Sequence, residues 1–182
     1  MARLILLNGA PGVGKSTIAR RVVDARPLAL LLDIDVVRSL LGPTDDITAS
    51  WLAARRLALV MAADQLRAGG DVVVPQYLGR PDFVAQLEAL AAATSSPFVE
   101  VVLTTSHDTG RARFEARGHV PQLVGADESW SGMHARLTRF LATRPAAVLV
   151  DAYGDLETTL ARVERVLGGS APGVPGPAEP GT

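Results

Sequence analysis

Residues 8–17 read NGAPGVGKST, directly after the short apolar run LILL at residues 4–7. Gly9, Gly14, Lys15 and Ser16 satisfy the spacing G-x-x-x-x-G-K-[ST]. Glycines at these positions let successive backbone N–H groups turn inward around an anion. The N-terminus of the helix that follows adds partial positive charge. A strand has to lead into such a loop and a helix has to leave it, so the motif limits the fold as well as the chemistry. Lys15 is the only lysine among 18 basic side chains. A slender ammonium reaches between β- and γ-phosphates where a planar guanidinium fork fits poorly. Residues Gly9, Ala10, Pro11, Gly12, Val13, Gly14, Lys15, Ser16 and Thr17 are therefore expected to cradle a nucleoside triphosphate, with the Ser16 hydroxyl as a ligand to Mg²⁺.

The rest of the chain alternates short apolar runs with helical stretches. Strands are expected at RLILLNG, PLALLLDID, GGDVVVPQ, PFVEVVLTT and AAVLVDA. Helices are expected at 15–25, 35–41, 51–68, 80–93, 107–118, 130–144 and 155–167, with residues 48–50 capping the long third one. This predicts an α/β three-layer sandwich, a five-stranded parallel sheet with helices on both faces. The expected folded domain is residues 1–167, and 168–182, rich in Gly, Pro and Ala, reads as a disordered tail. Ligands of such sheets sit at the carboxyl ends of the strands. The residues there are Asp33 and Asp35, Pro75, Gln76 and Tyr77, and the stretches 104–107 and 151–154.

Composition removes several function classes. With no cysteine, disulfides, thiolate zinc sites and cysteine nucleophiles are excluded. A net charge of −1 gives no global field for nucleic acid or an anionic membrane. The first apolar run is too short for a signal segment or a membrane span, so a cytoplasmic protein is expected. A GTPase needs an N-K-x-D motif, which a chain with one lysine already in use cannot supply. A remodelling ATPase usually ends a strand in an acidic pair, whereas the third strand here ends VVVPQY. A kinase needs less: a carboxylate near the acceptor hydroxyl, and arginines over the transferring phosphate.

Asp33 and Asp35 supply the carboxylates. As alternate residues of the second strand, expected beside the first, both would face one cleft. One would orient Mg²⁺ while the other accepts a hydroxyl proton; the alternative for Asp35 is a helix N-cap. Arg38 lies one turn further on, facing the acceptor or simply solvated. Arg113 and Arg117, four apart, would close over the γ-phosphate, unless they only favour a helix C-terminus. His107, His119 and His134 have no metal-binding spacing, and Trp51 and Trp130 read as packing residues.

The phosphate loop, the D-x-x-R of Asp35 and Arg38 in DIDVVRSL, and the R-x-x-x-R of ARFEARG together resemble the small P-loop kinases that include polynucleotide 5′-hydroxyl kinase, chloramphenicol phosphotransferase and the zeta toxins. The resemblance implies that Asp35 is the general base, that Arg38 contacts the acceptor, and that Arg113 and Arg117 form a lid. Relatives often carry an Asp at the end of the third strand, where this chain has Pro75 and Gln76. Asp33 is then expected to take the metal, and Gln76 or Tyr77 the acceptor. Asp45 and Asp46 in the acceptor loop would repel a polyanion, which favours a neutral or cationic small molecule. The expected activity is ATP- and Mg²⁺-dependent transfer to a hydroxyl of a small molecule, an antibiotic or another specialised metabolite by analogy, by a monomer or dimer. The alternatives are a polynucleotide 5′-hydroxyl kinase and a regulatory ATPase that transfers nothing.

Overall fold

A computed structural model describes residues 1–116 and 129–169. The expected tail from 170 onward and the connection 117–128, which includes Arg117 and His119, lie outside the described residues. The elements run β1 (Leu4–Gly9), α1 (Lys15–Asp24), β2 (Leu30–Leu31), α2 (Ile34–Ser39), α3 (Ile47–Arg67), β3 (Val72–Pro75), α4 (Pro81–Ala93), β4 (Phe98–Thr104), α5 (His107–Ala116), α6 (Trp130–Leu141), β5 (Val148–Asp151) and α7 (Leu156–Gly168). All strand pairings are parallel, in the order β2-β3-β1-β4-β5. This is the five-stranded α/β sandwich that the alternation of runs predicts.

Alternation along β1 divides the core into two layers. Leu4 and Leu6 meet Val72 and Val74 with the buried faces of α3 and α4. Ile5 and Leu7 meet Val73, Val101 and Leu103 with α1 and α7. Each of these buried aliphatic side chains contributes about 1.5–3 kcal/mol of transfer free energy.

Two expectations about β2 are corrected. It does not lie beside β1; β3 separates them. β3 is buried along its whole length, whereas Leu30 and Leu31 are only half-buried, so the fully apolar strand lies inside the sheet and β2 forms its edge. β2 is also two residues long, not nine. Leu28 is exposed with a left-handed φ of 60°, which bends the chain before pairing begins. At the other end Asp33 caps α2 and starts the helix at Ile34. Asp33 and Asp35 are therefore not alternate residues of a strand. The long helix α3 likewise starts at Ile47, earlier than expected, because the Asp46 carboxylate accepts the Ala49 N–H at 2.9 Å.

One buried charge is compensated by geometry. Glu100, in the middle of β4, is 4% exposed and receives the Arg144 guanidinium at 2.8–2.9 Å. Arg144 also donates to Glu88 at 2.6 Å, and that hydrogen bond together with the Glu100 bond raises its pKa against the effect of burial. Removing one partner of such a pair leaves an uncompensated buried charge, at a cost of about 3–5 kcal/mol. Arg144→Ala is thus expected to destabilise the protein by that amount in urea unfolding, and the double variant Arg144→Ala/Glu100→Gln by much less. Equal losses in the two would mean that the pair does not compensate a buried charge.

Candidate active site

The loop after β1 is shaped by three glycines in conformations that side chains resist. Gly9, Gly12 and Gly14 have φ of 146°, 85° and 101°. A Cβ at Gly9 would stand 2.6 Å from the Leu103 carbonyl oxygen, and one at Gly12 2.9 Å from the Gly110 carbonyl oxygen. Gly14 is the N-cap of α1 and provides no side-chain cap, and the first turn carries no acidic residue. The amides at the start of α1 are thus left to an outside acceptor, which is what an anion requires. Lys15 Nζ donates to the Gly9 and Ala10 carbonyls at 2.9 and 3.0 Å, so the ammonium lies over the loop itself.

Two residues that sequence reasoning did not assign to the site hold this loop. Asn8 is fully buried in β1. Its Oδ1 accepts from the N–H of Gly9 at 2.8 Å and of Leu78 at 2.9 Å, and its Nδ2 donates to the Leu78 carbonyl at 3.0 Å. The amide thus ties the phosphate loop to the loop after β3. A polar residue inside an apolar strand run was the available signal. The second is Trp130, whose Nε1 donates to the Pro11 carbonyl at 3.0 Å. Its ring stacks on His134 at 5.0 Å and meets His107 edge-on at 4.8 Å. The sequence reading of Trp130 as packing is right as far as it goes, but nothing in the sequence pairs it with Pro11.

The carboxylates lie at the N-terminus of α2. Asp33 Oδ1 accepts the Asp35 N–H at 2.9 Å, so the capping role falls to Asp33 instead of Asp35. Asp35 is left with a buried Oδ1 that has no hydrogen-bond partner among the described residues. Burial raises the Asp35 carboxyl above its ordinary range, repulsion from Asp33 adds to this, and the charges of Arg38 and Lys15 pull the other way. The influence of Lys15 puts Asp35 within the electrostatic reach of the phosphate loop.

Three more buried polar atoms lack a partner among the described residues: Arg38 Nε, Gln76 Oε1 and, after β4, Thr105 Oγ1. The Arg38 guanidinium lies 4.8 Å from the centroid of Trp51. Gln76 follows β3, and its N–H is fixed to the Leu7 carbonyl at 3.1 Å. Orphaned buried polar atoms are uncommon in folded proteins and call for a ligand or water. Tyr77 donates its hydroxyl to the Met133 carbonyl at 3.0 Å, which binds the loop after β3 to α6. Arg113 is exposed in the last described turn of α5.

The donors suit a hard divalent cation. Among the described residues no group of three or more His, Asp or Glu side chains gathers in one place. Mg²⁺ is commonly held by one or two carboxylates together with substrate phosphates and water, so an all-protein cage is not needed. The exposed Ser16 hydroxyl and the second oxygen of Asp33 are donors of that kind.

Comparison with known proteins bears on the fold. Residues 4–152 match the family described as AAA domain. No curated protein matches the chain. Among solved structures, a sugar kinase from Janibacter sp. HTCC2649 superposes with a TM-score of 0.65 at 16% identity, covering 92% of this chain and 95% of the other. A gluconokinase from Sinorhizobium meliloti 1021 gives 0.59 at 18% identity, covering 92% and 91%. The APS kinase of Mycobacterium tuberculosis gives 0.56 at 17% identity, covering 92% and 98%. Among the described residues no helix is long and apolar enough to cross a membrane. With the family match spanning most of its length, the chain belongs to the AAA domain family, and it has the P-loop fold shared by these small kinases.

Proposed function

We propose that the protein is an ATP- and Mg²⁺-dependent kinase that transfers the γ-phosphoryl group to a hydroxyl of a small molecule. The observation that supports this best is the buried Oδ1 of Asp35, without a partner among the described residues and within the field of Lys15, with the equally orphaned Arg38 Nε one turn on and Gln76 Oε1 after the adjacent strand β3. Bound Mg²⁺ would supply charge neutralisation at the β- and γ-phosphates. The loop amides and Lys15 bind the polyphosphate. Ser16 and Asp33 would hold the cation. Arg38 and Gln76 orient the acceptor, with Tyr77 as the wall beside them. The acceptor oxygen bonds to the γ-phosphorus as the bond to the β,γ-bridging oxygen breaks, and the hydroxyl proton passes to Asp35. ADP and a phosphate monoester leave. Arg113, with Arg117 beyond the described residues, stabilises charge on the transferring group. The direct experiment is a screen of hydroxyl compounds for stimulated ADP release, including an oligonucleotide with a free 5′-hydroxyl. Strongest stimulation by the oligonucleotide would replace the small-molecule reading.

Lys15→Ala is expected to abolish acceptor-dependent ADP release and to weaken ATP binding while the melting temperature stays within a few degrees, since the side chain lies over the loop and outside the core. Near-normal turnover by the folded variant contradicts the proposal.

Asp35→Asn keeps shape but not basicity, so kcat should fall about 10²- to 10⁴-fold with little change in ATP affinity. The same substitution should stabilise the protein at neutral pH. Because the folded-state pKa is raised, Asp35 holds its proton more readily folded than unfolded, and stability is lost as pH rises from about 4 through the raised value. The variant should therefore melt higher than wild type at pH 7 and alike at pH 3. A lower melting temperature at pH 7 would mean that the carboxylate is stabilising and not held in readiness for a proton.

Arg113→Ala should lower kcat more than it raises the Kd for ATP, as expected of a group acting on developing charge. An effect confined to Kd, measured by titration with a non-hydrolysable analogue, would assign Arg113 to ground-state binding.

A further inference from the structure

The half-buried arginines Arg3, Arg26 and Arg144 each hold a carboxylate. Arg38 and Arg55 hold aromatic rings instead, and neither has a carboxylate within 4.0 Å among the described residues. Arg55 lies on α3 one turn after Trp51, and residues four apart share a face of a helix. The Arg38 guanidinium lies 4.8 Å from Trp51, and the Arg55 guanidinium 5.0 Å from Phe83, a ring that is 2% exposed. Arg38, Trp51, Arg55 and Phe83 thus form a row from α2 across α3 to the start of α4. α2 follows β2 and α4 follows β3, and Gln76, directly after β3, has a buried Oε1 with no partner among the described residues. For each guanidinium an aromatic face offsets only part of the water it has lost.

We propose that the acceptor carries an anionic oxygen group, a carboxylate or a phosphate, and that Arg55 is the residue that selects it, with Arg38 as its partner. The proposal rests on the phosphotransfer reading above. The charges around Arg55 are mixed but mostly in water: Asp82 and Arg80, both exposed at the start of α4, act on it in opposite directions, and burial lowers its pKa. The acidic pair in the preceding loop opposes an anion weakly. Asp45 and Asp46 are exposed, so solvent and salt screen them, and the Asp46 carboxylate is spent on the Ala49 N–H. This reverses the preference for a neutral or cationic acceptor drawn from those two residues in the sequence. An arginine stacked on a ring keeps its planar fork free for two parallel bonds to a carboxylate or phosphate.

The test is an anion titration followed by tryptophan fluorescence, because Trp51 lies under Arg38. The phosphate loop is first saturated with a non-hydrolysable ATP analogue, so that added anions cannot enter it. Inorganic phosphate, glycerate and, as the neutral control, glycerol are then titrated. Phosphate, glycerate or both should bind saturably and glycerol should not. Arg55→Met should weaken that binding about 10- to 100-fold, and Arg55→Lys, which keeps the charge, much less. Whichever anion binds more tightly identifies the group. Binding of neither anion to wild type, or equal binding to wild type and a folded Arg55→Met protein, overturns the proposal. Failure of the phosphotransfer reading would show differently: the anion would bind at an Arg55-dependent site while no hydroxyl compound stimulated ADP release.

Discussion

Asn8 sits in an otherwise apolar strand, and one buried amide there fixes both sides of the cleft. Its oxygen takes two backbone N–H groups, one from Gly9 at the mouth of the phosphate loop and one from Leu78 in the loop after β3. Its nitrogen returns a bond to the Leu78 carbonyl. A buried amide left unsatisfied costs about 1–3 kcal/mol per lost partner, so these loops are held by an energy larger than thermal motion. A fixed spacing of this kind suits the proposed transfer, which would need reacting groups held near contact. Trp130 does the same from the other side, through the Pro11 carbonyl.

Electrostatics in the cleft run against stability. Asp35 is half-buried next to Asp33, and Arg38 and Arg55 are half-buried without carboxylate partners among the described residues. Elsewhere the fold compensates buried charge closely, as Arg144 does for Glu100. Asp35 and Arg38 follow β2, Gln76 follows β3 and Thr105 follows β4, so the orphaned atoms among the described residues all come after the carboxyl ends of strands. Such a local cost is what a binding site imposes on a fold, and ligand charge is what repays it.

The sequence made the phosphate loop and the alternation of strands and helices legible, because glycine spacing and apolar periodicity are local signals. Strand order was not local. The sequence placed β2 beside β1, and only burial across the sheet puts β3 between them. The helix caps turned on single hydrogen bonds: Asp33, not Asp35, caps α2, and Asp46, not residues 48–50, starts α3. Asp35 and Gln76 were singled out in the sequence by position after a strand and Arg38 by its place one turn after Asp35, and among the described residues all three are left with orphaned atoms, as is Thr105 in the stretch after β4. Arg55 was invisible to that reasoning. It lies mid-helix, in the first half of a 21-residue element, and its relation to Phe83 spans 28 positions of chain.

The central claim is that the γ-phosphoryl group goes to an organic hydroxyl. It is tested most directly by incubating the protein with γ-labelled ATP, Mg²⁺ and the small-molecule fraction of a cell extract, and then separating the labelled products. The account predicts label in an acid-stable phosphate monoester, absent when Lys15→Ala protein is used. Label recovered only as inorganic phosphate, across extracts and with a folded, ATP-binding protein, would contradict it.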